Sequence, residues 1–185
     1  MNQKEKIEKI KEFRLIDDVF FEVFASDIPA CQEILRTILE DEKLIVNDVI
    51  VQSSERNIYG RSVRLDALCT LGDGSLCNIE IQRSDNDNHL KRARFNAASI
   101  TVKESEPGIN FENVKDVYIV YISEKDFFKA GLTTYHIDKI IRENGITVED
   151  GLHEIFVNAA VDDGSNIAEL MQCFKQKDLN NLKFK

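Results

Sequence analysis

An acidic residue and a Glu-x-Gln triplet lie on either side of a short glycine turn. Asp66 precedes the turn Gly72-Asp73-Gly74, and Glu80 and Gln82 follow it. Apolar and β-branched residues flank the turn on both sides, a pattern typical of a β-hairpin. The spacing therefore predicts two carboxylates and one amide on neighbouring strands, a set that is able to bind a cation.

Side-chain alternation predicts how these two strands pair. Each strand carries an alternating apolar set, consisting of Val63, Leu65, Ala67, Cys69 and Leu71 before the turn and Cys77, Ile79 and Ile81 after it. Both sets must lie on one side of the sheet, because a slip of one residue would expose a whole set to water. A three-residue loop with Gly74 in the left-handed conformation satisfies this condition. The resulting register pairs Leu65 with Ile81, Ala67 with Ile79 and Cys69 with Cys77.

The same register places Asp66 opposite Glu80, and Arg64 opposite Gln82, on the other face. Two facing carboxylates repel each other unless something neutralises them. A hard divalent cation such as Mg²⁺ takes oxygen ligands, lowers the pKa of a bound water and stabilises charge on a phosphoryl group. The alternative is a solvated sheet face on which Arg64 balances the two acids, and alternation by itself leaves both interpretations open.

The composition is that of an ordinary globular protein. A chain of 185 residues with 43% hydrophobic and 31% charged residues fits one domain spanning residues 1–185. The net charge of −9 argues against a protein that coats nucleic acid non-specifically, because phosphate binding depends on Lys and Arg. The charge does not exclude a nuclease, since a carboxylate metal site is itself negative.

The cysteines and histidines show no metal-ligand spacing, so a zinc site is not expected. We predict that all four cysteines (Cys31, Cys69, Cys77 and Cys173) are buried free thiols in a reducing cytosol. The N-terminal segment is charged and lacks the apolar stretch of a secretory signal. No apolar run has the length that a membrane span needs. A cytoplasmic protein without a membrane partner is the expectation.

Periodicity predicts alternating helices and strands. Helices are predicted at residues 4–12, 17–24, 29–39, 89–102 and 135–143 and around Ile167–Phe174. Strands are predicted at residues 44–52, 61–71, 75–82, 117–122 and 154–158. This order indicates an α/β (α+β) domain, in which a central mixed β-sheet is flanked by helices.

At these residues the sequence resembles the PD-(D/E)xK nuclease superfamily. It is most similar to the bacterial PD-(D/E)xK nuclease family transposases, which are akin to recombination-promoting nucleases of the Rpn type. The resemblance covers about residues 16–174 and is most specific in SVRLDALCTLGDGSLCNIEIQ (62–82). It implies a restriction-endonuclease-like core and a nuclease dependent on Mg²⁺ or Mn²⁺. Double-stranded DNA is the implied partner, and a homodimer is a further expectation because superfamily nucleases often pair to cut both strands.

The resemblance also implies roles for individual residues. Asp66 and Glu80 would bind the metal, and the backbone carbonyl of Ile81 would add a ligand. Gln82 occupies the place of the motif lysine, where it can hold a water molecule but brings no positive charge. Asp18, on the first helix, is implied as a further residue near the metal. A position near a helix N-terminus explains Asp18 equally well.

Two positions depart from the family pattern. Leu65 stands where the motif name has proline, which is a variable position. Relatives often carry D-x-F-K in the first helix, whereas this chain has Phe21 in place of the basic residue.

Basic residues cluster around the hairpin and the helix that follows it, and they are expected to contact DNA phosphates. This set consists of Arg64, Arg83, Lys91, Arg92 and Arg94. Three of them, Lys91, Arg92 and Arg94, lie on the predicted helix 89–102. These three are explained equally well as the charged face of a solvated helix.

Three functional hypotheses follow. The first is a metal-dependent DNA endonuclease in which Asp66, Glu80 and Gln82 are catalytic. The second is a catalytically weak or inactive module with the nuclease fold that binds nucleic acid or a protein. The absent lysine and the acidic net charge favour this second hypothesis. The third is a domain whose hairpin acids are merely exposed, which the family resemblance disfavours.

Overall fold

A computed structural model describes residues 13–55, 62–83 and 88–177 of the chain. The helices of this part are α1 (Asp18–Ala25), α2 (Ile28–Ile38), α3 (His89–Glu104) and α4 (Asn166–Lys175), with a 3₁₀ turn at Phe111–Asn113. The strands are β1 (Val46–Glu55), β2 (Val63–Leu71), β3 (Leu76–Gln82), β4 (Val117–Ser123), β5 (Thr134–Ile137), β6 (Lys139–Ile140), β7 (Thr147–Val148) and β8 (Leu152–Asn158). The helix predicted at residues 4–12 and the first residue of the strand predicted at 61–71 lie outside the described residues.

Six strands form one mixed sheet in the order β1-β2-β3-β4-β8-β5. Neighbours β1, β2 and β3 are antiparallel, β3, β4 and β8 are parallel, and β5 is antiparallel to β8. The parallel strands are the apolar ones, as expected for strands covered on both faces. The predicted mixed sheet flanked by helices is therefore confirmed.

Helices cover both faces of this sheet. Helices α1, α2 and α4 pack on one face, where Phe21, Leu35 and Phe174 join the alternating apolar residues of the central strands. Helix α3 packs on the other face through Ala97 and Ile100. Because α3 follows β3 directly, its first turns lie over the strand end that carries Glu80 and Gln82.

The β2–β3 hairpin has the predicted loop. Ala67 pairs with Ile79 and Cys69 with Cys77, and the amide of Leu71 donates to the Ser75 carbonyl at 2.9 Å to close a three-residue turn. Gly74 has a φ of 91°, a conformation that glycine adopts without a Cβ clash. Alternation thus predicted both the loop length and the register of this half of the hairpin.

The predicted alternation is wrong at Leu65. The β2–β3 ladder ends at Ala67 and Ile79, and Leu65 packs in the α3-side core, whereas Ile81 packs on the opposite side. The β1–β2 ladder pairs Val51 with Ala67 and Ser53 with Leu65, which leaves Gln52 opposite Asp66. Gln52 has a φ of 52°, so the ladder is distorted beside Asp66. Such distortions reorient neighbouring side chains.

The helix predicted at residues 135–143 is also wrong. Tyr135 lies in β5, the edge strand that pairs with Phe156 of β8, and the chain then forms the β6–β7 ribbon. Gly145, with a φ of 73°, lies in the turn of this ribbon rather than at the end of a helix. Pairing with the exposed edge of β8 satisfies the backbone groups of a segment whose apolar spacing also fits a helix.

Cys31, Cys69, Cys77 and Cys173 are buried free thiols, as predicted. None of the helices in the described part of the chain has the length and apolar character that crossing a membrane requires.

Candidate active site

Glu80 is fully buried near the C-terminal end of β3, and helix α3 supplies its partners. Arg92 donates from Nε to Glu80 Oε1 at 2.8 Å, and its Nη2 lies 2.6 Å from the same oxygen. Asn96 donates from Nδ2 to Glu80 Oε2 at 3.2 Å. Both carboxylate oxygens therefore have donors from one helix, which fixes the carboxylate in place.

Asp66 lies at the point where β2 separates from β3. Its Oδ2 accepts the backbone amide of Ile81 at 2.9 Å. A carboxylate oxygen thus replaces the β2 carbonyl that would otherwise continue the ladder. This bond holds the Asp66 carboxylate between the two strands, one residue beyond Glu80 along β3.

Burial and neighbouring charges raise the pKa values of both carboxylates. Burial raises the pKa of Glu80 to about 7, and the charge of Asp66 contributes to the rise while Arg92 opposes it. Burial also raises the pKa of Asp66, and the Ile81 amide opposes that change. The charge of Asp18 adds to the rise at Asp66. Burial therefore disfavours the charged form of both carboxylates, and neighbouring acids add to that effect.

Gln82 and Ile81 complete the end of β3. Arg92 Nη1 lies 3.4 Å from Gln82 Oε1, so this arginine contacts both polar positions of the Glu-x-Gln triplet. The Gln82 carbonyl accepts the amide of Glu124 on the β4 side. Amide and carbonyl of one strand residue point to the same side. The Ile81 carbonyl therefore points to the same side of β3 as the Ile81 amide, which is the side of Asp66.

Helix α1 brings a third acid to this region. Asp18 is exposed in the first turn of α1, near enough for its charge to affect Asp66. The preceding Asp17 accepts the Arg14 amide at 2.8 Å and pairs with Arg83 Nη1 at 2.8 Å. Arg83, from the end of β3, also lies 3.8 Å from Glu124. These ion pairs fix the start of α1 against the sheet and thereby the location of Asp18.

The basic residues predicted to contact DNA have different surroundings. Arg92 binds Glu80 and Arg83 binds Asp17, as described above. Arg64, Lys91 and Arg94 are exposed. Arg64 and Asp66 lie close enough for the arginine charge to oppose the rise in the pKa of Asp66. The charge of Arg94 acts instead on Glu154 of β8, so Arg64 and Arg94 lie at different places on the surface.

The donor set suits a cation that needs few protein ligands. No cluster of three or more His, Cys, Asp or Glu side chains arranged for a metal occurs in the residues that the structure describes. Mg²⁺ commonly keeps several waters and binds through one or two carboxylates together with substrate phosphates. The carboxylates of Asp66 and Glu80, with the Ile81 carbonyl on the Asp66 side, fit that pattern. They do not fit a closed all-protein cage.

The two helical partners of Glu80 are not apparent from the sequence pattern. The sequence does not single out Asn96, and it predicts a DNA contact rather than a carboxylate partner for Arg92. The spacing of Arg92 and Asn96 does indicate that they share one helix face, because residues four apart in a helix lie on the same side. A further bond that was missed links Gln52 Nε2 to Glu22 Oε2 of α1, beside the distorted part of β1.

A cavity of about 520 Å³ lies at the opposite end of the sheet. Its lining includes Tyr118 and His153, near the starts of β4 and β8, and Leu71 at the end of β2. Since β3 runs parallel to β4 and β8, Glu80 and Gln82 lie at the other end of these strands. The cavity is therefore separate from the carboxylate site.

Comparison with known proteins agrees with the geometry. The family model described as PD-(D/E)XK nuclease family transposase matches residues 14–173, which include both carboxylates, Gln82 and helix α3. No curated protein and no solved structure matches the chain. A central mixed sheet flanked by helices is consistent with this match, which covers most of the chain. The chain therefore belongs to the PD-(D/E)XK nuclease family transposases.

Proposed function

We propose that the protein is a nuclease that hydrolyses phosphodiester bonds of double-stranded DNA with Mg²⁺ or Mn²⁺. The observation that carries this proposal is the position of Asp66, which is bound to the Ile81 amide, beside buried Glu80, whose pKa the charge of Asp66 helps to raise. A bound cation stabilises the charged form of a buried carboxylate. The family to which the chain belongs is a nuclease family.

Asp66 and Glu80 would hold the metal, with the Ile81 carbonyl as a further ligand and Asp18 near its outer side. When bound, the cation would lower the pKa of a water molecule and withdraw charge from the phosphoryl group. The remaining chemistry belongs to the protein. The Ile81 amide fixes the carboxylate of Asp66, and Asn96 fixes the carboxylate of Glu80. Both carboxylates are therefore oriented before the substrate binds.

Gln82 would orient the attacking water by a hydrogen bond. In the reaction the water oxygen forms a new bond to phosphorus, the ester P–O bond breaks, and the water loses a proton to solvent. The leaving oxygen takes up a proton from solvent, so the net change is hydrolysis. Exposed Arg64, Lys91 and Arg94 would contact phosphates of the duplex beside the scissile bond and fix its register.

A plasmid cleavage assay tests this proposal. Wild-type protein with Mg²⁺ or Mn²⁺ should nick or linearise supercoiled DNA, whereas Asp66→Asn and Glu80→Gln should each lose at least about 100-fold in rate. Asp48→Asn is a matched control, because Asp48 is an exposed acid on β1. Equal cleavage by wild-type protein and both site variants would refute the nuclease assignment.

The ion pair between Arg92 and Glu80 favours a second candidate function. Arg92 offsets the charge of Glu80 without a metal, and Gln82 brings no positive charge of its own. A catalytically weak or inactive module that binds nucleic acid or a protein partner is compatible with both features. Duplex binding by a wild-type protein that does not cleave in either metal would select this second function.

A further inference from the structure

Arg92 is the residue that joins the two polar positions of the Glu-x-Gln triplet. Its guanidinium contacts Glu80 Oε1 at 2.6 and 2.8 Å and Gln82 Oε1 at 3.4 Å. Its charge also reaches Asp66, where it opposes the effect of burial on the pKa. A single cation from α3 therefore contacts Glu80 and Gln82, and its charge acts on Asp66 from further away.

The helix holds this arginine in place. Asn88 caps α3 by accepting the Lys91 amide at 3.0 Å, which fixes the first turn in which Arg92 lies. One turn further on, Asn96 donates to the second oxygen of Glu80, and buried Ala93 and Ala97 let the helix approach the sheet closely. The register of α3 against β3 is thus fixed on both sides of Arg92.

We propose that Arg92 supplies, from helix α3, the positive charge that Gln82 does not supply at the motif's lysine position. This inference rests on the proposed nuclease function. A guanidinium remains charged at any working pH and its planar donors match phosphate oxygens. Held against Glu80 and Gln82, it would face the negative charge that develops on a phosphoryl group bound at these residues, and a preorganised donor there stabilises the transition state.

The same placement predicts an opposite effect on metal binding. A positive charge in contact with Glu80 repels a cation and competes with it for the carboxylate. Removing the charge should therefore strengthen metal binding while it slows cleavage. A residue that merely held Glu80 in position would behave differently, because loss of such a support weakens metal binding by about 10–100-fold.

The test compares Arg92→Gln and Arg92→Lys with wild-type protein. The readouts are kcat for plasmid cleavage and Mn²⁺ affinity by titration calorimetry. Arg92→Gln should lower kcat about 100-fold and bind Mn²⁺ at least about threefold more tightly. Arg92→Lys retains the charge and should keep kcat within about tenfold of wild type. Lys103→Gln is the matched control, because it removes a charge from the same helix roughly 16 Å away.

Thermal denaturation shows whether Arg92→Gln is folded, and if it is not, Arg92→Met, which keeps the length of the aliphatic stem, replaces it in both measurements. Adding Gln82→Lys to Arg92→Gln returns the charge to the motif position and should restore kcat at least about tenfold. Cleavage by Arg92→Gln at the wild-type rate, or weaker Mn²⁺ binding together with slower cleavage, would overturn the role of Arg92. Absence of cleavage by wild-type protein would instead overturn the proposed nuclease function.

Discussion

The guanidinium of Arg92 lies 2.6 Å from a carboxylate oxygen of Glu80 that is fully buried. A buried acid of this kind destabilises the fold unless it is paired or protonated. Arg92 and Asn96 provide that pairing from one face of α3, so the helix is part of the site and does more than cover the sheet.

Removing the amide of Asn96 should destabilise the protein. Asn96 is fully buried and donates to Glu80 Oε2, so Asn96→Ala leaves a buried carboxylate oxygen without this donor. We expect a loss of about 1–3 kcal/mol in the free energy of unfolding. Urea denaturation measures it, with exposed Asn110→Ala as the control. Equal losses in both variants would show that the bond to Glu80 contributes nothing.

The stability of the metal-free protein should depend on the protonation of Glu80. The pKa of Glu80 is about 7 in the folded protein, above its ordinary value of 4.5. Between these values the folded state binds more protons than the unfolded state, so stability should fall as pH rises through about 4.5 to 7. Asp66, whose pKa is also raised, acts in the same direction, and Arg92 limits the effect.

Urea denaturation in EDTA at pH 5, 6, 7 and 8 measures this dependence. Subtracting the Glu80→Gln curve from the wild-type curve removes the contribution of other acids, including exposed ones whose pKa values are lowered, such as Asp163. The free energy of unfolding of the wild-type protein minus that of Glu80→Gln should decline as pH rises from 5 to 7. A difference that rises with pH would contradict the assigned state of Glu80.

The hairpin shows how far sequence alone could predict the structure. The loop length and the register from Ala67 to Thr70 followed from alternation, because a slip of one residue would expose an apolar set. The register failed at Leu65, where the Asp66 carboxylate takes the Ile81 amide and ends the ladder. The alternation argument assumes that backbone amides of one strand pair with backbone carbonyls of the next. It could therefore not anticipate that the Asp66 side chain takes the place of a β2 carbonyl as acceptor.

Two other features depended on tertiary packing. Tyr135 lies on an edge strand because β8 offers unpaired backbone groups, which no local pattern reveals. Arg92 and Asn96 contact Glu80 because α3 packs over the end of β3. Their spacing of four indicates a shared helix face but not which strand that face meets.

Removing exposed basic residues should weaken DNA binding uniformly and reduce its salt dependence. Lys91 and Arg94 are exposed on α3, and each would neutralise one phosphate. Lys91→Gln and Arg94→Gln should each lower the slope of log affinity against log salt by about 1. Fluorescence anisotropy with a short duplex and metal-free protein measures the slope, and Lys103→Gln is the control. An unchanged slope in both variants would exclude this surface as the phosphate contact.

The most direct measurement is a crystal structure with Mn²⁺, in which anomalous scattering locates the cation. We expect a peak within about 2.5 Å of carboxylate oxygens of both Asp66 and Glu80, with the Ile81 carbonyl among the other ligands. Asp66→Asn crystals under the same conditions should lack the peak. A peak elsewhere, or one that persists in Asp66→Asn, would contradict the assignment of these two carboxylates as the metal site.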